Sequence, residues 1–181
     1  MLLDVDHVAF SSLYIKRDSE IFQTVGYTVE FIETNVENLS IKRDFLRDFS
    51  EKHSIALLKS QKGFNIEFTN HGNAYASHPH MIPVFENLPH ALINEYKKEE
   101  NQNRIEVQMK ISSAPIYLES NSLDKEFKFN KLVIRTNNSS ETKRFFEILG
   151  FKTTNEENNM TKMEFKALFG SKSYFIFLKM N

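Results

Sequence analysis

The sequence predicts an α+β fold: two βαβββ modules whose sheets curl into one cup, with extra strands or a helix added by the segment between them. Three observations carry this expectation. A strand–helix–strand pattern occurs twice at one constant offset: Lys131 stands 124 residues after His7, Phe145 stands 124 after Ile21, and Gly150 stands 124 after Gly26. Each copy then continues into two further runs with strand character. The composition, 40% hydrophobic and 26% charged over 181 residues, is that of a folded globular chain with enough apolar surface to offset the entropy of ordering.

The elements of the first copy follow in order. HVAFSS at 7–12 is a short apolar run with polar flanks, read as a strand. Asp18 or Ser19 is the expected cap of the next helix, Ile21, Phe22 and Val25 its buried stripe, and Gly26 its terminator. TVEFIE at 28–33 alternates apolar and polar, as a half-buried strand does. SIALLKS at 54–60 and FNIEFTN at 64–70 complete the module across a QKG turn. The insertion at 35–53 carries Leu39, Ile41, Phe45, Leu46 and Phe49, and predicts a short amphipathic helix with Lys42, Arg43 and Arg47 on its polar face.

The second copy reads the same way. KLVIRT at 131–136 is its first strand, and Asn138 or Ser139 caps its helix, with Glu141 in the first turn where the helix dipole favours a negative charge. Phe145, Phe146 and Leu149 form the expected buried stripe, and Gly150 takes the left-handed cap position. KMEFKALF at 162–169 and YFIFLKM at 174–180 are its last two strands. The expected boundaries are therefore 1–72 for the first module, 73–128 for the connecting segment and 129–181 for the second. The connecting segment holds the proline-punctuated SHPHMIPVFENLPH, the helix-like ALINEYKKEE, and strand candidates at 104–111 and 115–120.

Several function classes are excluded by composition. Lys plus Arg is 23 against 24 Asp plus Glu, so no concentrated basic charge is available for nucleic acid. There is no cysteine, which excludes disulfides, a thiolate nucleophile, iron–sulfur clusters and Cys-bound zinc. No apolar run approaches the roughly 20 residues of a membrane span. The expectation is a cytoplasmic protein without membrane or nucleic-acid partners. Five glycines leave no glycine-rich phosphate loop. The 17 phenylalanines and absent tryptophan make Phe the main core filler, and a Phe-lined concavity suits a small organic ligand.

The paired modules, with VDHVAF at 5–10, IFQTVGY at 21–27, NIEFTNHG at 65–72 and KLVIRTNNSSETKRFFEILGF at 131–151, resemble the vicinal oxygen chelate superfamily. Its members include glyoxalase I, extradiol dioxygenases, fosfomycin-resistance enzymes and bleomycin-resistance proteins. The resemblance covers roughly two thirds of the chain. It implies a cup into which the first and fourth strands of each module project ligand-binding residues. Those positions fall on His7, Glu67, Lys131 and Phe177. His7 and Glu67 are of metal-ligand type, and both are candidate acid–base residues. Lys131 has no free lone pair when protonated and Phe177 has none at all, so a divalent metal would find an incomplete set.

Three functional readings follow. The first is a glyoxalase- or bleomycin-resistance-like protein that binds a small organic molecule in the cup, with no cofactor. The alternative is a metal-dependent lyase, isomerase or dioxygenase using His7, Glu67 and a further ligand from the His71, His78 and His80 loop or from a partner chain. The third is a catalytically inert interaction module. Glu67, a carboxylate between apolar neighbours, needs a partner, for which His7 and Lys131 are the candidates. Tyr14, Tyr27, Tyr75 and Tyr117 are further hydroxyl donors. A homodimer is the expected assembly.

Overall fold

The structure, a computed structural model, describes residues 4–44, 49–70, 81–89, 93–101, 104–109, 115–119, 126–157, 159–168 and 172–180; for 93–101, 104–109 and 115–117 it describes the backbone alone. The chain order is β1 (His7–Ser11), α1 (Ile15–Gln23), β2 (Thr28–Glu37), a 3-10 turn (Ser40–Asp44), β3 (Lys52–Lys59) and β4 (Asn65–Asn70). There follow β5 (Met81–Glu86), β6 (Ile93–Asn101), β7 (Arg104–Met109) and β8 (Pro115–Glu119). The chain closes with β9 (Lys128–Thr136), α2 (Ser139–Leu149), β10 (Lys152–Glu157), β11 (Met160–Lys166) and β12 (Ser173–Met180).

Both expected βαβββ modules are present. The first forms a four-stranded sheet in the order β1-β4-β3-β2, with β1 and β4 parallel and the other pairs antiparallel. The second forms β9-β12-β11-β10 with the same pattern of directions. The connecting segment adds its strands to the second module, giving an eight-stranded sheet in the order β10-β11-β12-β9-β5-β8-β7-β6.

Those added strands repeat the module order. β5 and β8 are parallel, β8 and β7 antiparallel, and β7 and β6 antiparallel, so β5-β8-β7-β6 reproduces β1-β4-β3-β2. The chain therefore holds a third unit of the same topology. Its first and second strands are joined by residues 87–92, too few for the nine- and eleven-residue helices of the other two. Its first strand pairs antiparallel with the first strand of the second module, β5 against β9.

Aromatic packing supplies the cover that the absent helix leaves out. Phe22 of α1, 1% exposed, packs against Phe85 of β5 and Phe127, with ring centroids 6.1 and 6.2 Å apart. Phe10 and Phe129 add to the same cluster. One core runs between the two sheets, from Val8, Ile66 and Phe68 on one side to Leu132, Tyr174, Ile176 and Leu178 on the other. Gly63 lets the backbones meet there: a Cβ would lie 2.3 Å from the Phe129 carbonyl oxygen, which accepts a hydrogen bond from Phe64 N–H at 2.8 Å.

The structure revises several local expectations. Helix α1 begins at Ile15, so Asp18 and Ser19 lie inside it and are fully buried instead of capping it. Asp18 accepts from Ser12 Oγ and Arg17, and burial pushes its carboxyl above the usual range against those two contacts. The 35–53 insertion begins as strand. Val36 and Glu37 pair with His53 and Lys52, so β-pairing takes the ends of the expected helix, and only the turn Ser40–Asp44 remains, with Leu39 and Ile41 exposed. Phe45, Leu46 and Arg47 lie outside the described residues. ALINEYKKEE contributes strand β6, because pairing with β7 outweighs its helical propensity. Helix α2 has the expected caps, with Asn138 accepting from Glu141 N–H and Gly150 at φ 105°. Phe145 of its stripe is 56% exposed, while Phe146 and Leu149 pack on the core.

Candidate functional site

Strands β1 and β4 lie side by side in parallel register, with Ala9 opposite Glu67. Side chains alternate across a strand, so His7, Ala9 and Glu67 share the face turned away from the core, while Val8, Ile66 and Phe68 take the core face. On that open face His7 Nε2 lies 3.4 Å from Glu67 Oε2. On its other side, His7 Nδ1 lies 2.8 Å from Asp6 Oδ2. An acidic partner beside each ring nitrogen fixes the imidazole orientation. Leu57 is paired with Glu67 and Phe31 with Leu57, so half-buried Leu57 and Phe31 lie on the same face, as does Ile55 two residues along β3. A polar pair on an apolar floor is what this sheet presents.

Lys131 and Phe177 belong to the other sheet. Lys131 Nζ lies 2.6 Å from Glu119 Oε2 and also contacts Glu86 Oε1. Glu86 and Glu119 are register partners on β5 and β8, so two carboxylates stand side by side and share the Lys131 ammonium. The side chains of Lys131, Glu119 and Glu86 are 21, 17 and 8% exposed. Burial lowers the Lys131 pKa, but the hydrogen bonds it donates to Glu119 and Glu86 and their negative charge outweigh it, and the net shift is upward. Phe177 packs with Ile82, Val84 and Val133 on the same sheet.

Of the two partners open to Glu67, the structure supplies His7. The four positions are divided between sheets, His7 with Glu67 on one and Lys131 with Phe177 on the other. Glu86 and Glu119 escaped sequence reasoning, although both are carboxylates ending apolar runs, the same signal that singled out Glu67. Tyr27 donates its hydroxyl to the Phe64 carbonyl at 3.0 Å, and burial raises its pKa further above neutrality. Tyr14 is 60% exposed and lies under the Arg17 guanidinium. His71, Tyr75, His78, His80 and the Tyr117 side chain lie outside the described residues.

A divalent metal needs three or more protein ligands in most first-row sites. His7 and Glu67 supply two, and among the described residues no group of three or more His, Asp or Glu side chains is arranged to hold a metal ion. The described donor set does not fit a metal centre. No helix among the described residues is long and apolar enough to cross a membrane.

No protein-family model matches the sequence, and comparison with curated proteins finds no match. Solved structures do match. Glyoxalase I from Zea mays aligns over 98% of this chain and 68% of its own length, with a TM-score of 0.58 and 10% identity. The chain has the glyoxalase fold. A candidate dioxygenase from Bacillus subtilis aligns over 98% of this chain and 64% of its own, with a TM-score of 0.60 and 10% identity. The glyoxalase-fold chain described here thus spans about two thirds of the length of these structures. At such identities the likeness is one of fold, and the residues on each sheet decide the chemistry.

Proposed function

We propose that this chain binds a small organic molecule on the open face of the four-stranded sheet. His7 and Glu67 anchor a polar group of the ligand, and Phe31, Ile55 and Leu57 contact its apolar body. The observation that carries this reading is the His7–Glu67 pair on adjacent parallel strands, half-buried and turned away from the core. A carboxylate and an imidazole together accept and donate, so they suit a ligand with hydroxyl, carboxyl or amide groups. The pair at Lys131 is less available, because its ammonium is already held by two carboxylates.

The comparisons support a superfamily whose named members act on small molecules, and the chemistry of this face is consistent with sequestration of such a molecule. A library of small aromatic and hydroxy acids, screened by thermal shift and by NMR, tests the reading. Ligands should perturb the amides of β1, β3 and β4, and Glu67→Ala should weaken binding about tenfold, the worth of one good hydrogen bond. Ligands that perturb only the strands around Lys131 would sink it.

A further inference from the structure

The face of the four-stranded sheet that packs on α1 is closed along only part of its length. Register partners share a face, so Ile32, Ala56 and Phe68 stand in one row across β2, β3 and β4. Phe22 of α1 closes over Phe68, with ring centroids 5.6 Å apart, and Ala56 and Phe68 are fully buried, whereas Ile32 is 41% exposed. Between Ile32 and the start of α1 lies a groove of about 660 Å³, within the range of about 300–1,000 Å³ typical of small-molecule sites. Leu13, Tyr14 and Ile15 complete its apolar wall, the first two 42 and 60% exposed. Side chains alternate along each strand, so this groove and the His7–Glu67 pair lie on opposite faces of the sheet.

The charged side of the groove is fixed from below. Asn70 Nδ2 donates to the Leu13 carbonyl at 3.1 Å, and Tyr14 N–H donates to Ser12 Oγ at 3.0 Å. Ser12 Oγ in turn donates to the fully buried Asp18 carboxyl at 2.5 Å. Asp18 Oδ1 accepts from Arg17 Nε at 3.0 Å and lies 2.9 Å from Arg17 Nη2, and the guanidinium sits 4.5 Å over the Tyr14 ring. A buried carboxyl thus holds one edge of the guanidinium and an aromatic ring holds one face. The remaining edge is preorganised for a carboxylate, which a guanidinium fork binds through two hydrogen bonds. Lys16 and Glu20, both exposed, also line the groove and form no ion pair among the described residues.

We infer that this groove binds a free α-amino acid with an aromatic or branched aliphatic side chain. Its carboxylate pairs with Arg17 and Lys16, its ammonium with Glu20, and its side chain covers Leu13, Tyr14 and Ile32. Charge complementarity selects this class. Two cations and one carboxylate line the groove, and Arg17 and Glu20 stand three apart on α1, with β-carbons about 5–6 Å from each other. Two such side chains close on opposite charges borne by a single carbon. An acid without an amine leaves Glu20 unanswered and repelled, and an amine without an acid meets Lys16 and Arg17. The apolar wall selects the side chain, because a polar one leaves Leu13 and Ile32 in water. The site is separate from the His7–Glu67 face and stands whether or not that face binds a ligand.

NMR titration of the full chain with L-phenylalanine tests it. Saturable shifts should appear at the amides of Lys16, Arg17, Ile32 and Thr34, with those of His7 and Glu67 unmoved. Phenylpropionate and phenethylamine keep the ring and lose one charge each, so both should bind at least about tenfold more weakly, the worth of one charge-assisted hydrogen bond. Glu20→Gln, at an exposed position, should weaken L-phenylalanine by the same factor and leave phenylpropionate unweakened, a reversal of preference that a loss of structure would not produce. Ile32→Ser, also at an exposed position, should weaken L-phenylalanine and L-leucine alike while the protein keeps its Tm. Equal affinity for the three phenyl compounds, no saturable shift up to about 10 mM, or shifts confined to the Glu67 face would each overturn the inference. A dimer by light scattering, with the Ile32 and Thr34 amides shifting on dilution, would assign the groove to a second copy and overturn it as well.

Discussion

Replacing Lys131 by methionine keeps the aliphatic stem and deletes the charge that two carboxylates share. At 2.6 Å and an effective dielectric constant of about 20, each Lys–Glu attraction is worth about 6 kcal/mol before desolvation is counted. Burial consumes most of that gain. What the substitution exposes is the reverse problem, since Glu86 and Glu119, 8 and 17% exposed, stand side by side and lose the ammonium they share. Breaking such a buried pair costs about 3–5 kcal/mol. For a chain of this length that corresponds to a fall in Tm of about 6–20 °C. The sign of the pH dependence is distinctive. In the wild type the Lys131 pKa is raised, so its contribution is fully present below the unfolded lysine value near 10.4 and is lost only as pH climbs through the higher folded value. In Lys131→Met, mutual repulsion and burial raise the pKa of a stranded carboxyl, so the variant recovers stability as pH falls below that value. Urea unfolding followed by circular dichroism between pH 5 and 8 measures both. Calcium or magnesium should also raise the Tm of Lys131→Met, but not that of the wild type or of Lys131→Met/Glu119→Gln. A loss under about 1 kcal/mol, flat with pH, would refute the buried-cluster account.

Other consequences follow from particular contacts. Glu67→Gln should cost about 1 kcal/mol or less, because its partner His7 is one-third exposed, and the cost should add to that of Lys131→Met, since the two sites share no partner; coupling measured in a double-mutant cycle would contradict the assignment to separate sheets. Gly63→Ala should lower stability by about 1–3 kcal/mol, because the new methyl meets the Phe129 carbonyl at 2.3 Å. Gly26→Ala meets nothing within 4 Å and should cost only the strain of a residue at φ 96°, about 1 kcal/mol. Thermal melts that reverse this order would show that the approach of Gly63 to β9 is not close in solution.

The repeat itself was legible in the sequence because it depends on local signals. Asn138 and Gly150 bracket one helix, and Gly26 ends the other, through backbone hydrogen bonding and left-handed geometry that nearby residues dictate. The alternation of β3, β4, β11 and β12 marks strands for the same reason. The third unit was not legible. β5 carries Pro83, normally a mark against a central strand, but its pairing with β8 begins only at Val84, so the missing N–H forfeits no bond to that neighbour. β6 reads as helix and becomes strand through β7, a partner outside any local window. The site divides along the same line. Apolar neighbours singled out Glu67, while His7 and Lys131 were reached through the 124-residue offset and the family resemblance. Which carboxylates meet the ammonium was set by β5 lying between β9 and β8, a strand order that long-range pairing alone decides. That pairing brings Glu86 and Glu119 to Lys131 and leaves Glu67 to His7 on an open sheet.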